Sequence, residues 1–438
     1  MRIRCSLSLV LLVLTISVFP QATEGVKPGS ESRVFSTVPE NDEARGELEQ
    51  LFYAPLQALP AGQERILEQQ STGTRVKFEI RRQNGHLYYL FQNAEHSSYT
   101  IPSRGNYILK RELDSGRFVQ IKIFYRSDPG CYLRLFPEGQ RSSMDVYLFG
   151  IEVARRVLLP VEFTDLLTLP FAKVIELSRS TVRWHSLLYR RFGPLDELAF
   201  RHIEKIRRLL PGLPDRDDGA LDESGRYVFI ENGEPQGGSG GLNCSGFAKW
   251  ISDGFYYGLT GRYLPIEPLK EKQLEYRGNR WSLRFEDERD PYFGLDWSRN
   301  LAVSLWRAHG YDSSSPEDFD VRRVEYLEYR EDVGFPVDKL KLLMFLEASA
   351  NPGHFYIGSL NREYGSQPVL RQHFHMIVLF PYFTPSGILR VAVFDRNREV
   401  TLEGTVDRYS GAYIHLVRLP LGESFLPQLP LKLNQENN

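Results

Sequence analysis

One cysteine stands where its thiol could act as a nucleophile. The glycine-rich stretch Gln236-Gly237-Gly238-Ser239-Gly240-Gly241 runs into Leu242-Asn243-Cys244-Ser245-Gly246-Phe247-Ala248-Lys249-Trp250-Ile251, whose apolar spacing reads as a helix ending near Gly258. A thiol at a helix start feels the positive end of the macrodipole, which lowers its pKa and favours the thiolate. Glycines on the approach let backbone N–H groups and a substrate carbonyl come close together. Ser245 and Gly246 leave the first turn uncrowded. The plain alternative is a buried cysteine serving as a small hydrophobe. A phosphate-binding loop is excluded, because no Gly-Lys-Ser/Thr follows the glycines and no dinucleotide-type spacing opens a βαβ unit.

A thiolate nucleophile needs a histidine and usually a group to orient it. Of nine histidines, His86, His96, His185, His202, His309 and His415 stand alone. His373-Phe374-His375 opens the most apolar run of the chain, Met376-Ile377-Val378-Leu379-Phe380, so period-two geometry puts both imidazoles on one face. The turn Thr384-Pro385-Ser386-Gly387 then returns the chain as Ile388 to Phe394, delivering Asp395 and Asn397 beside the strand's start. His375 lies 11 residues before Ser386 and Asn397 lies 11 after it, so the two ends can pair across the hairpin. An acidic or amide side chain there would hold the imidazole's tautomer and orientation. The favoured base is His375, with Asp395 or Asn397 as orienter. His354, behind Pro352-Gly353, is its main rival, and His373 is a further alternative. The His-x-His pair has no third ligand at zinc-site spacing, so neither a metal nor another cofactor is expected.

Short strands with turn signals fill the region before the cysteine. Arg75 to Ile80 alternates, Gln83-Asn84-Gly85 turns, and His86 to Phe91 follows. Further strands are expected at Asn106 to Arg111, Phe118 to Tyr125, Tyr132 to Phe136 and Asp145 to Leu148, six in all. Cys131 sits at the Asp128-Pro129-Gly130 turn, where packing is its expected role. Helices are expected at Asp196 to Leu210, Asp296 to Ala308 and Val337 to Ala350, with closing strands at Phe355 to Gly358, His375 to Phe383, Ile388 to Asp395 and Ala412 to Leu419.

The 438 residues suffice for two to three domains, and 42 % hydrophobic with 25 % charged residues is globular composition. The 54 basic and 56 acidic residues nearly cancel, so no global footprint for nucleic acid exists. Arg2 and Arg4 before the apolar Leu7 to Phe19 form a signal-peptide layout, expected over 1–25, and no later run is long enough for a membrane span. Cys5 would leave with that signal. Cys131 and Cys244 then either pair once, or at least one is kept for its chemistry.

Asn-Cys-Ser-Gly-Phe-Ala-Lys-Trp at 243–250 resembles the Asp-Cys-Ser-Gly-Phe/Leu-Val motif of NlpC-like cysteine peptidases, with Tyr227 in the place of that family's upstream tyrosine. The histidine end is more similar to the related CHAP amidases: Pro352-Gly353-His354, then His375-Met-Ile-Val-Leu, then Asp395-Arg396-Asn397. The resemblance covers about residues 220–420 and only their motifs. Asn243 departs from the usual Asp. The 131 residues from Cys244 to His375 are also far more than in compact members. A helical insertion at about 265–350 would account for them, either capping the cleft or marking another papain-like branch.

These readings imply an α+β protein: a signal peptide (1–25), a linker or cap (26–70), an antiparallel β-sandwich or barrel for binding or targeting (71–160), and a papain-like cysteine hydrolase domain (161–438). Cys244, His375 and Asp395 or Asn397 would be catalytic, with Asn243, Ser245 and Tyr227 around substrate and oxyanion. The resemblance further implies export to a bacterial periplasm or exterior and, as substrate, the peptide part of cell-wall peptidoglycan. The alternatives are an inactive papain-like secreted binding or structural protein, or a transglutaminase-like acyl transferase.

Overall fold

The structure is a computed structural model that describes residues 38–430 apart from 60–61, 63, 96–97, 189–191, 239, 274–289, 314 and 367–368. The expected signal peptide, Cys5 and the first part of the linker lie outside the described residues.

Two short helices, α1 (Asp42–Glu47) and α2 (Glu49–Tyr53), precede eight strands: β1 (Glu64–Gln69), β2 (Thr74–Gln83), β3 (His86–Asn93), β4 (Tyr107–Glu112), β5 (Phe118–Phe124), β6 (Tyr132–Glu138), β7 (Arg141–Leu148) and β8 (Ile151–Leu159). They form one antiparallel meander in chain order, and no described pairing joins β8 to β1. The Asn84-Gly85 turn has φ of 47° and 74°, the left-handed pair that a two-residue hairpin requires. Phe149-Gly150 makes the β7–β8 turn with φ of 51° and 81°.

Three expectations are corrected here. The meander has eight strands rather than six, and β1 falls inside the segment read as linker. β1 (Glu-Arg-Ile-Leu-Glu-Gln) and β8 (Ile-Glu-Val-Ala-Arg-Arg-Val-Leu-Leu) are the two edges, and charged side chains on an edge hide the apolar alternation that marks an inner strand. The sheet is also single, not one of two facing sheets. Its inward side chains, among them Phe78, Tyr89, Phe91 and Tyr107, are covered by helices: Phe52 of α2 meets Tyr89 edge-on at 5.4 Å. Buried Arg45 of α1 lies 4.4 Å over the Tyr107 ring and donates to the carbonyls of Leu167 and Leu169. Helices α3 (Phe171–Ser178) and α4 (Trp184–Leu188) complete that cover.

The second half places α5 (Pro194–Leu209), β9 (Ala220–Leu221), β10 (Tyr227–Val228), α6 (Cys244–Thr260), α7 (Phe293–Ala308), β11 (Phe335–Pro336) and α8 (Leu340–Ala350) before five further strands and a last helix. These are β12 (His354–Tyr364), β13 (Leu370–Phe383), β14 (Leu389–Asp395), β15 (Arg398–Val400), α9 (Leu402–Arg408) and β16 (Tyr413–Pro420). A six-stranded antiparallel sheet runs β11-β16-β12-β13-β14-β15. Both of its faces are covered. Met376, Val378, Phe380 and Phe394 join Ile203, Phe247, Phe255 and Trp297 of α5, α6 and α7. Ile377, Leu379 and Val393 join Leu343 and Phe345 of α8 in a core continuous with that of the meander. Strands covered on both faces read as unbroken apolar runs, which explains Met376 to Phe380. No described helix is long and apolar enough to cross a membrane.

Candidate active site

Cys244 is the first residue of α6. Asn243 is its N-cap: the side-chain oxygen accepts from the Gly246 N–H at 2.8 Å, and Nδ2 donates to the Asp217 carbonyl at 3.3 Å. Gly246 has to be glycine, because a Cβ there would lie 2.0 Å from the Gly219 carbonyl oxygen. Ser245 is buried, and its carbonyl accepts from Trp297 Nε1 at 3.0 Å, tying the first turn of α6 to α7. Gln236, which the sequence does not single out, fixes the glycine-rich approach. Its Nε2 donates to the carbonyls of Asp218, Val228 and Gly241, while its Oε1 accepts from the Gly241 N–H at 2.9 Å.

The base is His375. Its Nε2 lies 2.7 Å from Asp395 Oδ1, which leaves Nδ1 as the ring nitrogen for the sulfur. Burial alone would raise the Cys244 pKa, but the hydrogen bond and charge of His375, the Met376 N–H and the Arg396 charge bring it below the ordinary thiol value. Burial would likewise lower the His375 pKa, yet hydrogen bonds to Asp395 and Cys244 push it up to about 9. Asp395 is held below the usual carboxylate range against its own burial, by His375, Tyr409 and Arg408. All three shifts favour a thiolate–imidazolium pair beside a carboxylate.

The sequence misses the clamp on the far side of that carboxylate. Tyr409 Oη and Arg408 Nη1 both donate to Asp395 Oδ2 at 3.1 Å, and the Tyr409 ring lies 5.7 Å from that of His375. Both residues come from the end of α9, and no motif marks them.

Three sequence candidates fall away from this centre. His373 and His375 do not act as a same-face pair, because the β12–β13 register passes from Leu360↔His375 to Asn361↔His373 and leaves Phe374 as an extra residue. His373 Nδ1 is 2.9 Å from Ser359 Oγ and Nε2 is 3.1 Å from the Asp332 carbonyl, with burial holding its pKa well below the ordinary value. With both nitrogens engaged, it cannot take the thiol proton. His354 begins β12, six residues from the partner of His375, or about 20 Å along the strand. Burial lowers its pKa to about 4, and its Nδ1 faces the Asn351 carbonyl. Asn397 sits in the β14–β15 turn and donates to the Leu213 carbonyl at 2.7 Å, so Asp395 alone orients His375.

Tyr227 also changes role. Its ring packs against Gly240, where a Cβ would come within 2.4 Å of it, so it supports the approach loop instead of facing the cavity. Its buried hydroxyl is pushed up to about 12 by desolvation.

Cys244 opens into a cavity of about 440 Å³ whose walls include Asn243, Ser245, Phe293, His373, His375 and Arg396. Asp217, Asp218, Glu231 and Asp290 give it an acidic rim. From the segment 265–350, Asp290, Phe293 and Gly294 line the wall. A larger cavity of about 850 Å³, between Tyr125–Asp128 and the β13–β14 hairpin, contains neither thiol nor imidazole and is not the centre of this chemistry. Cys131 and Cys244 are both free: Cys131 is buried, and Cys244 is partly exposed. Among the described residues one carboxylate trio, Glu317, Glu331 and Asp332, has its oxygens close enough to share a cation, but Arg322 and Arg299 already pair with it.

Among known families, one described as a domain of unknown function (DUF8515) matches residues 34–186, the meander and its covering helices, and ends before Cys244. No curated protein and no solved structure matches the chain.

Proposed function

We propose that the protein is a cysteine hydrolase of papain-like type acting on amide or peptide bonds. The observation that carries this reading is the line Cys244, His375, Asp395: a partly exposed thiol at a helix N-terminus, an imidazole on it, and a carboxylate on the other ring nitrogen. In the reaction, the Cys244 thiolate adds to the carbonyl carbon. The N–H groups of Cys244 and Ser245, which open the helix and have no acceptor within it, receive the oxyanion. The C–N bond then breaks as the His375 imidazolium gives its proton to the leaving amine. Water, deprotonated by His375, cleaves the thioester and returns the thiol. Asp395 holds the ring and stabilises the imidazolium throughout.

The resemblance to NlpC-like and CHAP-like enzymes favours the stem peptides of peptidoglycan as substrate and an exported, periplasmic or secreted, setting. One observation also favours a second reading. The orienter is a carboxylate, not the amide of Asn397, and the Cys–His–Asp order is shared with transglutaminase-like acyl transferases. The two readings share the thioester and differ in whether water or an amine resolves it.

The test is turnover of purified stem peptides by the full chain, with and without a primary amine. Cys244→Ala is expected to lose all product while staying folded. Release of free carboxylate supports hydrolysis, incorporation of the amine supports acyl transfer, and no product from any amide or peptide substrate overturns both.

A further inference from the structure

Arg396 occupies a position that a glycine would take more easily. It is the first of the two residues between β14 and β15, and its φ is +58°, in the left-handed region that side-chain-bearing residues rarely enter. Such a conformation in a non-glycine residue is kept where the side chain is needed. The guanidinium is aimed by Asp215, with Nη1 at 2.9 and 3.1 Å from its two carboxylate oxygens.

Arg396 also belongs to two cavities. One is the Cys244 cavity. The other, about 350 Å³, lies on the far side of His375 and is lined by Arg396, Arg398 and Arg408 with Asp395 as its one carboxylate. Phe374, His375 and Arg396 are common to both. Arg398 has no side-chain partner among the described residues. The two cavities therefore differ in charge: three guanidiniums and one carboxylate line the smaller, whereas in the larger Arg396 is the one guanidinium among four carboxylates. An anionic group of a bound molecule is drawn to the first and repelled by the second.

We infer that Arg396 is a specificity-determining residue: it holds a carboxylate of the substrate in the cavity it shares with Arg398 and Arg408, next to the bond presented to Cys244. The substrates are then amides or peptides carrying a free carboxylate near the scissile bond. A planar guanidinium receives a carboxylate through two parallel N–H donors, which a lysine could not do. This inference rests on the reading of Cys244 as nucleophile.

The test needs no natural substrate. In the full chain, Cys244 is alkylated by iodoacetate, which carries a carboxylate, and by iodoacetamide, its neutral isostere; the thiolate displaces iodide in both. N-acetylcysteine gives the reference ratio of the two rates. The ratio at Cys244 is expected to exceed the reference by about tenfold or more, with iodoacetate showing saturation. Taking the ratio cancels any change in thiolate fraction. Arg396→Gly is expected to bring it down by about tenfold, and Arg398→Gln by less, since of the three arginines Arg396 is the one that also lines the Cys244 cavity. Glycine suits the left-handed backbone, so Arg396→Gly should resist urea at least as well as the parent, and a lower ratio then reflects the missing guanidinium, not unfolding. A ratio at Cys244 equal to the reference, or unchanged in Arg396→Gly, overturns the carboxylate anchor. Iodoacetamide reacting no faster at neutral pH than with N-acetylcysteine overturns the nucleophile itself, a separate readout.

Discussion

Tyr409 and His375 bind opposite oxygens of one carboxylate: the phenol donates to Asp395 Oδ2 at 3.1 Å, and the imidazole meets Oδ1 at 2.7 Å. The carboxylate that holds the His375 imidazole is thus itself fixed, from the end of α9, with Arg408 on the same oxygen as the phenol. Tyr409→Phe removes one of those donors and keeps the ring that packs beside His375. We expect kcat to fall about three- to tenfold, less than the full worth of a hydrogen bond to a charged acceptor because Arg408 still holds the same oxygen, and the His375 pKa to drop as Asp395 loosens. Asp395→Asn should cost more, about 10²-fold or beyond, because the imidazolium loses its counter-charge. Histidine titration by NMR, read beside kcat, separates this from a general loss of fold.

The pH dependence follows from the signs of the shifts. The Cys244 pKa is lowered and that of His375 is raised to about 9, so both shifts favour the thiolate–imidazolium pair, which is lost as the imidazolium deprotonates near 9. Alkylation by iodoacetamide should therefore begin below the ordinary thiol range of about 8.5. Cys131, buried with its pKa pushed up to about 12, should stay unreactive in the native protein. His375→Ala should return Cys244 to ordinary or slower reactivity.

Stability carries the same signature. A histidine whose folded pKa is raised contributes stability in full below its unfolded value of 6.5 and loses it as pH rises through about 9. Urea midpoints of the parent should fall between pH 6.5 and 9 more than those of His375→Gln, whose side chain does not titrate.

Gly246→Ala brings a methyl group to 2.0 Å from the Gly219 carbonyl oxygen, backbone that cannot swing aside. The expected cost is about 1–3 kcal/mol, the usual range for overpacking, read as a lower urea midpoint. A loss of activity larger than this loss of stability would show that the first turn of α6 has moved with the nucleophile on it.

Inside α6, Lys249 and Asp253 form an ion pair at 2.6 Å with neither side chain exposed. Lys249→Met alone strands the carboxylate and should cost about 3–5 kcal/mol. Adding Asp253→Asn removes the stranded charge and keeps an oxygen for the Leu264 N–H that Asp253 Oδ1 accepts at 2.8 Å, so the double variant should recover part of the loss. Equal stability of the single and double variants would contradict this account.

The parts of the site written locally are legible in the sequence. Cys244 can be read at a helix start because N-cap, small residues and apolar period lie in one stretch, and α6 does begin at that residue. Long-range geometry is harder to read. The hairpin count reaches Asn397 as the cross-strand partner of His375 because it assumes pairing to the end, whereas the chain turns at Arg396 and β14 stops at Asp395. Phe374 looks like any apolar strand residue, yet as the extra residue of the β12–β13 register it sends His373 and His375 to different partners. Tyr409 and Arg408 reach Asp395 by the path of α9, which period-two and period-3.6 patterns do not encode. The β7–β8 hairpin hides because its turn is Phe149-Gly150, and the Phe149 ring is placed by an edge-on contact with Phe345 at 5.4 Å.

The halves of the candidate active site sit in parts of the molecule that should open at different rates. β13, which carries His375, is an inner strand covered on both faces, so its amides should be among the slowest to exchange with solvent. Cys244 is reached through residues 214–243, whose described regular structure is two strands of two residues each; we expect this segment, although Leu221, Val228, Ile230 and Leu242 reach the core, to open at a lower free energy than the sheet. Under mild denaturant the protein should therefore pass through a form that keeps its base in place while the approach to its nucleophile has come loose. Inactivation would then precede unfolding, and it would reverse on dilution as fast as one loop recloses.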